Sequence, residues 1–125
     1  MASTDQQRLG NVVPPSPEEE FAAVRLSFLT RLESEQAKLA TLATTLECAA
    51  FDPMPVFGDL EYFAHRLRGA AAVFEFPTLR DAAKTLELAA AAAVSDRAPN
   101  SEPLVQEAMR ALDTRLASPH EGAPS

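Results

Sequence analysis

The feature that most constrains the fold is the recurrence of apolar residues, mostly at steps of three and four, in stretches that proline-containing segments separate. Residues with this spacing share one face of an α-helix, whereas a half-buried strand alternates with period two. The breaks fall at "FDPMPVFGD", at Pro77 and at "SDRAPNSEP". The pattern predicts four amphipathic helices with short connections and no strands. We therefore expect an all-α, antiparallel up-down four-helix bundle.

The first helix has a clear start signal. Ser16 is the predicted N-cap, Pro17 stands in the first turn, and Glu19 lies three residues after the cap, which together indicate a capping box. The helix is expected to run to about Cys48. Its predicted apolar stripe comprises Phe21, Val24, Phe28, Leu32, Leu39, Leu42 and Leu46.

The other three helices are predicted from similar signals. The second contains "FAHRLRGAAAVFEF" and stops before Pro77, because a proline disfavours helical geometry in the residue before it. Thr78 and Asp81 are a predicted capping box for the third, and the fourth begins at about Glu102. The predicted apolar stripe of the second helix comprises Leu60, Phe63, Ala64, Leu67, Ala71 and Phe74. That of the third helix comprises Leu79, Ala82, Ala83, Leu86, Ala90 and Val94. That of the fourth helix comprises Leu104 or Val105, Ala108, Leu112 and Leu116.

The ends of the chain differ in composition from its middle. Residues 1–15 and 117–125 are polar or proline-rich and are expected to be disordered tails around a bundle of residues 16–116. His120, in the second tail, is expected to be simply solvent-exposed. The first residues have no apolar core typical of a signal peptide, and no apolar run is long enough to span a bilayer. The expected compartment is the cytoplasm.

Charge and cysteine content exclude several classes of function. Eighteen acidic and eleven basic residues give a net charge of −7, which argues against nucleic acid or an anionic membrane as the main partner. The single cysteine, Cys48, cannot form an intrachain disulfide or a cysteine metal site.

His65 is the predicted functional residue. On a helical wheel it lies roughly 140° from the apolar face of the second helix, so it should face solvent. A core or boundary histidine and an ordinary solvated one are the alternatives. Gly69 speaks against the second, since a glycine costs about 1 kcal/mol relative to alanine inside a helix and indicates close approach of another molecule. The neighbours of His65 on this face are Glu61, Arg68, Gly69 and Ala72.

A phosphoryl group is the chemistry that suits this arrangement. A neutral imidazole nitrogen is a competent nucleophile, and the guanidinium of Arg68 can neutralise phosphoryl oxygens. The sequence shows no serine with a base, no set of metal ligands and no glycine loop for nucleotide phosphates. The chain is therefore expected to carry a group as a phosphocarrier rather than to act as an autonomous enzyme.

The segment "AHRLRGAAAVF" resembles the histidine-containing phosphotransfer (HPt) domains of two-component phosphorelays, whose pattern is His-x-Leu-Lys-Gly-Ser/Ala. The resemblance spans about residues 17–116, with the "GDLE" that often precedes this helix. It implies that His65 is the phosphoacceptor and Arg68 the cation beside the phosphate. The implied partners are receiver domains of hybrid histidine kinases and response regulators, which supply Mg²⁺, so that this chain binds no cofactor.

The receiver is expected to dock over the solvent face of the second helix. Gly69 should allow its approach, with Glu61 and Ala72 at the contact. The first helix is expected to add apolar contacts through Phe21, Val24 and Phe28.

Two positions depart from the family pattern. Glu75 stands where a glycine is frequent, so Pro77 is expected to supply the helix stop. Glu87 stands where a glutamine often bonds the unphosphorylated ring nitrogen; its carboxylate could accept that N–H, or Glu87 could be a solvated helix residue. Two other functions stay open: a non-phosphorylated helical module that docks a receiver or kinase, and a dimerised bundle belonging to a histidine kinase or phosphotransferase.

Overall fold

The computed structural model describes residues 14–49, 52–96 and 101–119, and within these ranges it contains four helices and no strand. The all-α four-helix prediction is confirmed. The helices are α1 (Pro17–Cys48), α2 (Met54–Val73), α3 (Pro77–Asp96) and α4 (Ser101–Ala117). Most of the two predicted tails, His120 included, lies outside the described residues, so their disorder stays a prediction.

The chain divides into two compact units, residues 1–30 and residues 31–125, and α1 runs through the boundary. In the first unit, the backbone N–H of Glu19 donates to Ser16 Oγ at 3.1 Å, and that of Glu20 donates to the Ser16 carbonyl at 2.9 Å. Ser16 is thus the N-cap, as predicted. Three consecutive glutamates in the first turn also complement the positive end of the helix dipole.

In the second unit, apolar stripes of the helices form the core. α2 packs on α3, and α3 packs on α4. The remainder of α1 meets α4, where Gln36 Nε2 donates to Asp113 Oδ1 at 3.0 Å. Full burial of one leucine contributes roughly 1.5–3 kcal/mol, so the stripes supply most of the stability. The side chains buried deepest in this unit include Leu46, Leu60, Leu79, Leu86, Val105 and Leu112.

The buried residues differ from the predicted stripes near helix ends, as at the start of α1, where Phe21 and Val24 are exposed, and at the end of α3. In α3, Ala93 is buried, whereas the predicted Val94 is exposed. In α4 the prediction left Leu104 or Val105 open, and Val105 is the buried residue of the two. One residue turns the side chain by about 100° around a helix, so a one-residue error in the stripe exchanges a buried position for an exposed one.

The end of α2 corrects one prediction. Glu75 has φ 63°, in the left-handed region, and Phe76 N–H donates to the Ala71 carbonyl at 2.9 Å while Glu75 N–H donates to that of Ala72 at 3.3 Å. These two bonds form a Schellman motif, the common C-terminal helix cap in which glycine usually takes the left-handed position. The cap therefore ends α2 before Pro77 is reached, and Glu75 adopts the glycine conformation itself.

The start of α3 corrects another prediction, that of a capping box formed by Thr78 and Asp81. Pro77 is its first residue, and Arg80 N–H donates to the Phe76 carbonyl at 2.9 Å. The N-cap position therefore belongs to Phe76, and the predicted cap, Thr78, lies inside the first turn. Proline suits the first helical position because its missing N–H would have no intrahelical acceptor there.

Candidate functional site

The two faces of α2 have opposite environments. Leu60 and Ala64 are fully buried, whereas the side chain of His65 is 65% exposed. The outward direction predicted from the helical wheel is confirmed, and the alternative of a core histidine is excluded. The imidazole is thus accessible to another molecule while its helix is anchored by apolar contacts.

Glu87 of α3 brings the polar side chains of this face together. Its Oε2 lies 2.8 Å from His65 Nδ1, and its Oε1 accepts a hydrogen bond from Arg68 Nη1 at 2.7 Å. Each carboxylate oxygen thus has one partner on α2. The Glu87 side chain is only 16% exposed, so it is not an ordinary solvated helix residue. Because α2 packs on α3, residues far apart in sequence form one cluster, which we call the Glu87 cluster: His65, Arg68 and Glu87.

The contact with Glu87 determines which ring nitrogen is free. A carboxylate has acceptor sites only, so the nitrogen that faces it must be the donor. In the neutral ring the proton then resides on Nδ1, and Nε2 keeps its lone pair. Nε2 belongs to a side chain that is mostly exposed, so the arrangement presents a nucleophilic nitrogen to solvent.

A shallow groove of about 410 Å³ opens beside the imidazole. It is lined by Gly58, Glu61, Tyr62, His65 and Glu87. Sequence reasoning identified Glu61 but missed Gly58 and Tyr62, although their spacing, seven and three residues before His65, could have placed them on this face. Tyr62 is an exposed aromatic residue, and the Arg66 guanidinium carbon lies 5.6 Å from its ring centroid, within cation–π range.

Gly58 and Gly69 stand on either side of His65 along α2. A Cβ built on either glycine meets no atom within 4 Å, so packing in the described part of the chain does not require a glycine at these positions. Ala72 is exposed on the same helix. The small residues therefore leave backbone open to solvent around His65.

The three apolar residues predicted for docking on α1 are not equivalent. Phe21 and Val24 are 37% and 51% exposed. Phe28 is 2% exposed, so its ring is buried and cannot contact a partner. That part of the prediction is wrong, because the spacing of an apolar stripe along a helix does not show which of its residues are covered.

No group of three histidine, cysteine or acidic side chains suitable for a metal ion occurs within residues 14–49, 52–96 and 101–119. Among the helices that the structure describes, none combines the length and apolar character needed to cross a membrane.

Comparison with protein families gives one result that bears on this site. The family model described as Hpt domain matches residues 24–118, which include α2, α3 and the whole Glu87 cluster. Comparisons with curated proteins and with solved structures gave no significant match.

Proposed function

The chain belongs to the Hpt domain family, and we propose that it is a histidine phosphotransfer protein in which His65 carries the phosphoryl group. Hpt domains act in phosphorelays, where they interact with receiver domains. The observation that supports His65 as the acceptor is its 2.8 Å contact with Glu87, which holds Nδ1 and leaves Nε2 free. The proposed reaction takes the group from an aspartate of one receiver and passes it to an aspartate of another.

The transfer step uses the Nε2 lone pair. Nε2 attacks the phosphorus of the receiver's aspartyl phosphate, a P–N bond forms, the P–O bond to aspartate breaks, and the carboxylate leaves with the bonding electrons. The ring keeps its proton on Nδ1 and formally carries one positive charge, which the Glu87 carboxylate can stabilise. Transfer to the second receiver is the reverse of this step.

The docking surface in this proposal is the groove beside His65 with Gly58, Gly69 and Ala72 around it. Tyr62 and Glu61, which line this groove, would contact the receiver. The receiver supplies the Mg²⁺ that neutralises the phosphoryl oxygens during transfer, so this chain needs no cofactor of its own. The cytoplasm is the proposed compartment.

A second candidate function is favoured by the charge of the site. Glu87 places a carboxylate at the imidazole, and Glu61 lines the same groove. Glu61 would repel a phosphoryl dianion at short range, whereas Arg68 offsets the charge of Glu87. A helical module that docks a receiver or kinase without accepting phosphate would be compatible with this acidic surface.

The two candidates are separated by testing for phosphohistidine. The protein is incubated with phosphorylated receivers, and the transferred phosphate is tested in acid and in base, since phosphohistidine survives base and is lost in acid. We expect His65→Ala to abolish labelling without unfolding the protein, because the side chain faces water. His120→Ala is the matched control, as it removes the other histidine, and should label normally. Undiminished acid-labile label on His65→Ala would refute the proposal, and absence of label on the unsubstituted protein with every receiver would favour the docking module.

A further inference from the structure

We infer that Arg68 is a positioning residue, which controls the His65 imidazole through Glu87 instead of serving first as a ligand of the phosphoryl group. The inference deepens the proposed function and rests on it for the consequence for transfer. The juxtaposition that carries it is one carboxylate shared between a ring nitrogen at 2.8 Å and a guanidinium nitrogen at 2.7 Å.

The geometry places Arg68 on the side of the ring opposite the reaction. The N–H and lone-pair directions of the two imidazole nitrogens diverge, so a phosphoryl group on Nε2 would point away from the carboxylate that Nδ1 faces. The Arg68 guanidinium contacts the same carboxylate and is therefore held on the Nδ1 side. The Nη1–H that it donates to Glu87 in a charge-assisted hydrogen bond is not available to phosphoryl oxygens.

The charge balance of the cluster gives Arg68 a role in this position. Glu87 is mostly shielded from water, so its negative charge is poorly screened by solvent. Without a cation beside it, the carboxylate would stabilise the doubly protonated ring, in which Nε2 has no lone pair. Arg68 compensates that charge while leaving Oε2 available to accept the Nδ1 proton. The pair thus behaves towards the ring as a neutral acceptor, much as an uncharged amide oxygen would.

The first test reads the ring directly, without any receiver. The ¹⁵N resonances of the His65 imidazole distinguish the Nδ1–H form, the Nε2–H form and the doubly protonated ring, and they are recorded at one mildly acidic pH. We expect the Nδ1–H form to dominate the neutral ring in the unsubstituted protein. Arg68→Ala should raise the ratio of the doubly protonated ring to the Nδ1–H form roughly threefold, as expected when a partly exposed charge pair is broken. Adding Glu87→Gln to Arg68→Ala should restore the Nδ1–H form, because a neutral acceptor needs no counter-charge.

The second test measures transfer with the same variants. The rate of His65 phosphorylation from a phosphorylated receiver should fall by about the factor by which Arg68→Ala depletes the Nδ1–H form, and it should recover in Arg68→Ala/Glu87→Gln. Glu35→Gln on α1 is the matched control, since it neutralises another shielded glutamate that has two cationic partners, Arg31 and Lys38, and it should change neither the ring nor the rate.

The outcomes are distinct. If Arg68→Ala slows transfer and the ring resonances are unchanged, Arg68 acts on the phosphoryl group directly and the inference is wrong. If the ring changes and the rate stays the same, Arg68 acts on the ring through Glu87, but the inferred consequence for transfer is wrong. If the unsubstituted protein takes no phosphate on His65, the proposed function fails, and the ring resonances still decide whether Arg68 acts through Glu87.

Discussion

Glu35 and Glu87 are similarly buried and each contacts two nitrogen-bearing side chains, but these partners come from different parts of the structure. Glu35 on α1 lies 3.6 Å from Arg31 Nη2 and 3.3 Å from Lys38 Nζ, and its side chain is 10% exposed. Glu87 on α3 is 16% exposed and also has two nitrogen partners, His65 and Arg68. The partners of Glu35 are four residues before it and three after it on its own helix, whereas those of Glu87 come from α2.

The origin of the partners determines what each carboxylate can do. Pairs at spacings of three and four stabilise the helix that carries them by a few tenths of a kcal/mol and form as soon as that helix forms. The Glu87 cluster forms only when α2 and α3 pack, and its shorter contacts fix an imidazole with respect to a neighbouring helix. A carboxylate between helices can thus orient a reactive side chain, whereas a carboxylate within one helix reinforces local structure.

Removing each carboxylate should separate these two roles, and we expect the largest effect at Glu87. Glu87→Ala takes away the acceptor of the Nδ1 proton, so the ring can rotate and exchange tautomers, and Nε2 is a free nucleophile for only part of the time. The rate of phosphorylation by a receiver should fall by several-fold to about tenfold, which corresponds to about 1.4 kcal/mol or less. Rapid mixing with a phosphorylated receiver measures this rate.

Glu35→Ala is the matched control. It should leave the transfer rate within about twofold and lower the free energy of unfolding by less than about 1 kcal/mol, because its partners Arg31 and Lys38 are more than half exposed. Equal losses of transfer rate in Glu35→Ala and Glu87→Ala would show that both glutamates act through stability alone, and the distinction between the clusters would be lost.

Sequence reasoning succeeded where structure is local. The outward direction of His65, the Ser16 cap and most of the buried stripes follow from helical periodicity and from capping chemistry, which depend on neighbours within a few residues. The contact of Glu87 with His65 was one of two alternatives and was suggested by family resemblance, since a separation of 22 residues has no local signature. The pairing of Arg68 with Glu87 was missed because it depends on how α2 packs on α3.

Two other misses have the same physical origin. The burial of Phe28 depends on what covers α1 at that point, and spacing along a helix does not contain this information. The left-handed backbone at Glu75 was missed because a glutamate rarely adopts it; only the Schellman hydrogen bonds, which the folded helix end provides, show that the position requires it.

The Glu87 cluster differs from the surroundings of Glu35 in a second way, because in the proposed function a receiver must approach it closely. A bulky residue beside His65 tests this approach. Gly69→Leu places a large side chain one turn after His65, where nothing in the described chain fills the space. The protein should fold normally, and phosphorylation by a receiver should slow by several-fold because the leucine obstructs close approach. Kinetics at increasing receiver concentration should show the loss as weaker binding.

Gly69→Ala is the control for that variant. An alanine adds one methyl group in open space, so transfer should change little, and the free energy of unfolding should rise by about 0.5–1 kcal/mol because alanine is the better helix former. If the leucine variant exchanges phosphate as fast as the alanine variant, the receiver does not approach His65 over this side of α2.

The smallest effect on phosphate transfer is expected at the turn that joins α2 and α3, the two helices of the Glu87 cluster. Glu35 and its partners lie within one helix and have no such turn between them. Glu75 has φ 63°, and this left-handed conformation costs a non-glycine residue roughly 1–2 kcal/mol. Replacing Glu75 by glycine removes this cost, but part of the resulting gain in stability is offset because glycine has more conformational freedom in the unfolded chain. Glu75→Gly should therefore raise the free energy of unfolding by about 1 kcal/mol, as measured by urea denaturation.

Glu75→Ala separates the backbone effect from the contacts of the side chain. It removes the carboxylate and keeps a residue with a Cβ in the left-handed conformation, so it should be less stable than Glu75→Gly by about 1 kcal/mol. Because both variants retain the Schellman hydrogen bonds, α3 should keep its register against α2, and phosphorylation of His65 should proceed at the unsubstituted rate. Equal stability of the two variants would show that the turn carries no backbone strain. A slower transfer in Glu75→Gly would instead show that a stiff connection between α2 and α3 is needed to hold Glu87 against the imidazole. Glu35 needs no such connection, because its partners lie on its own helix.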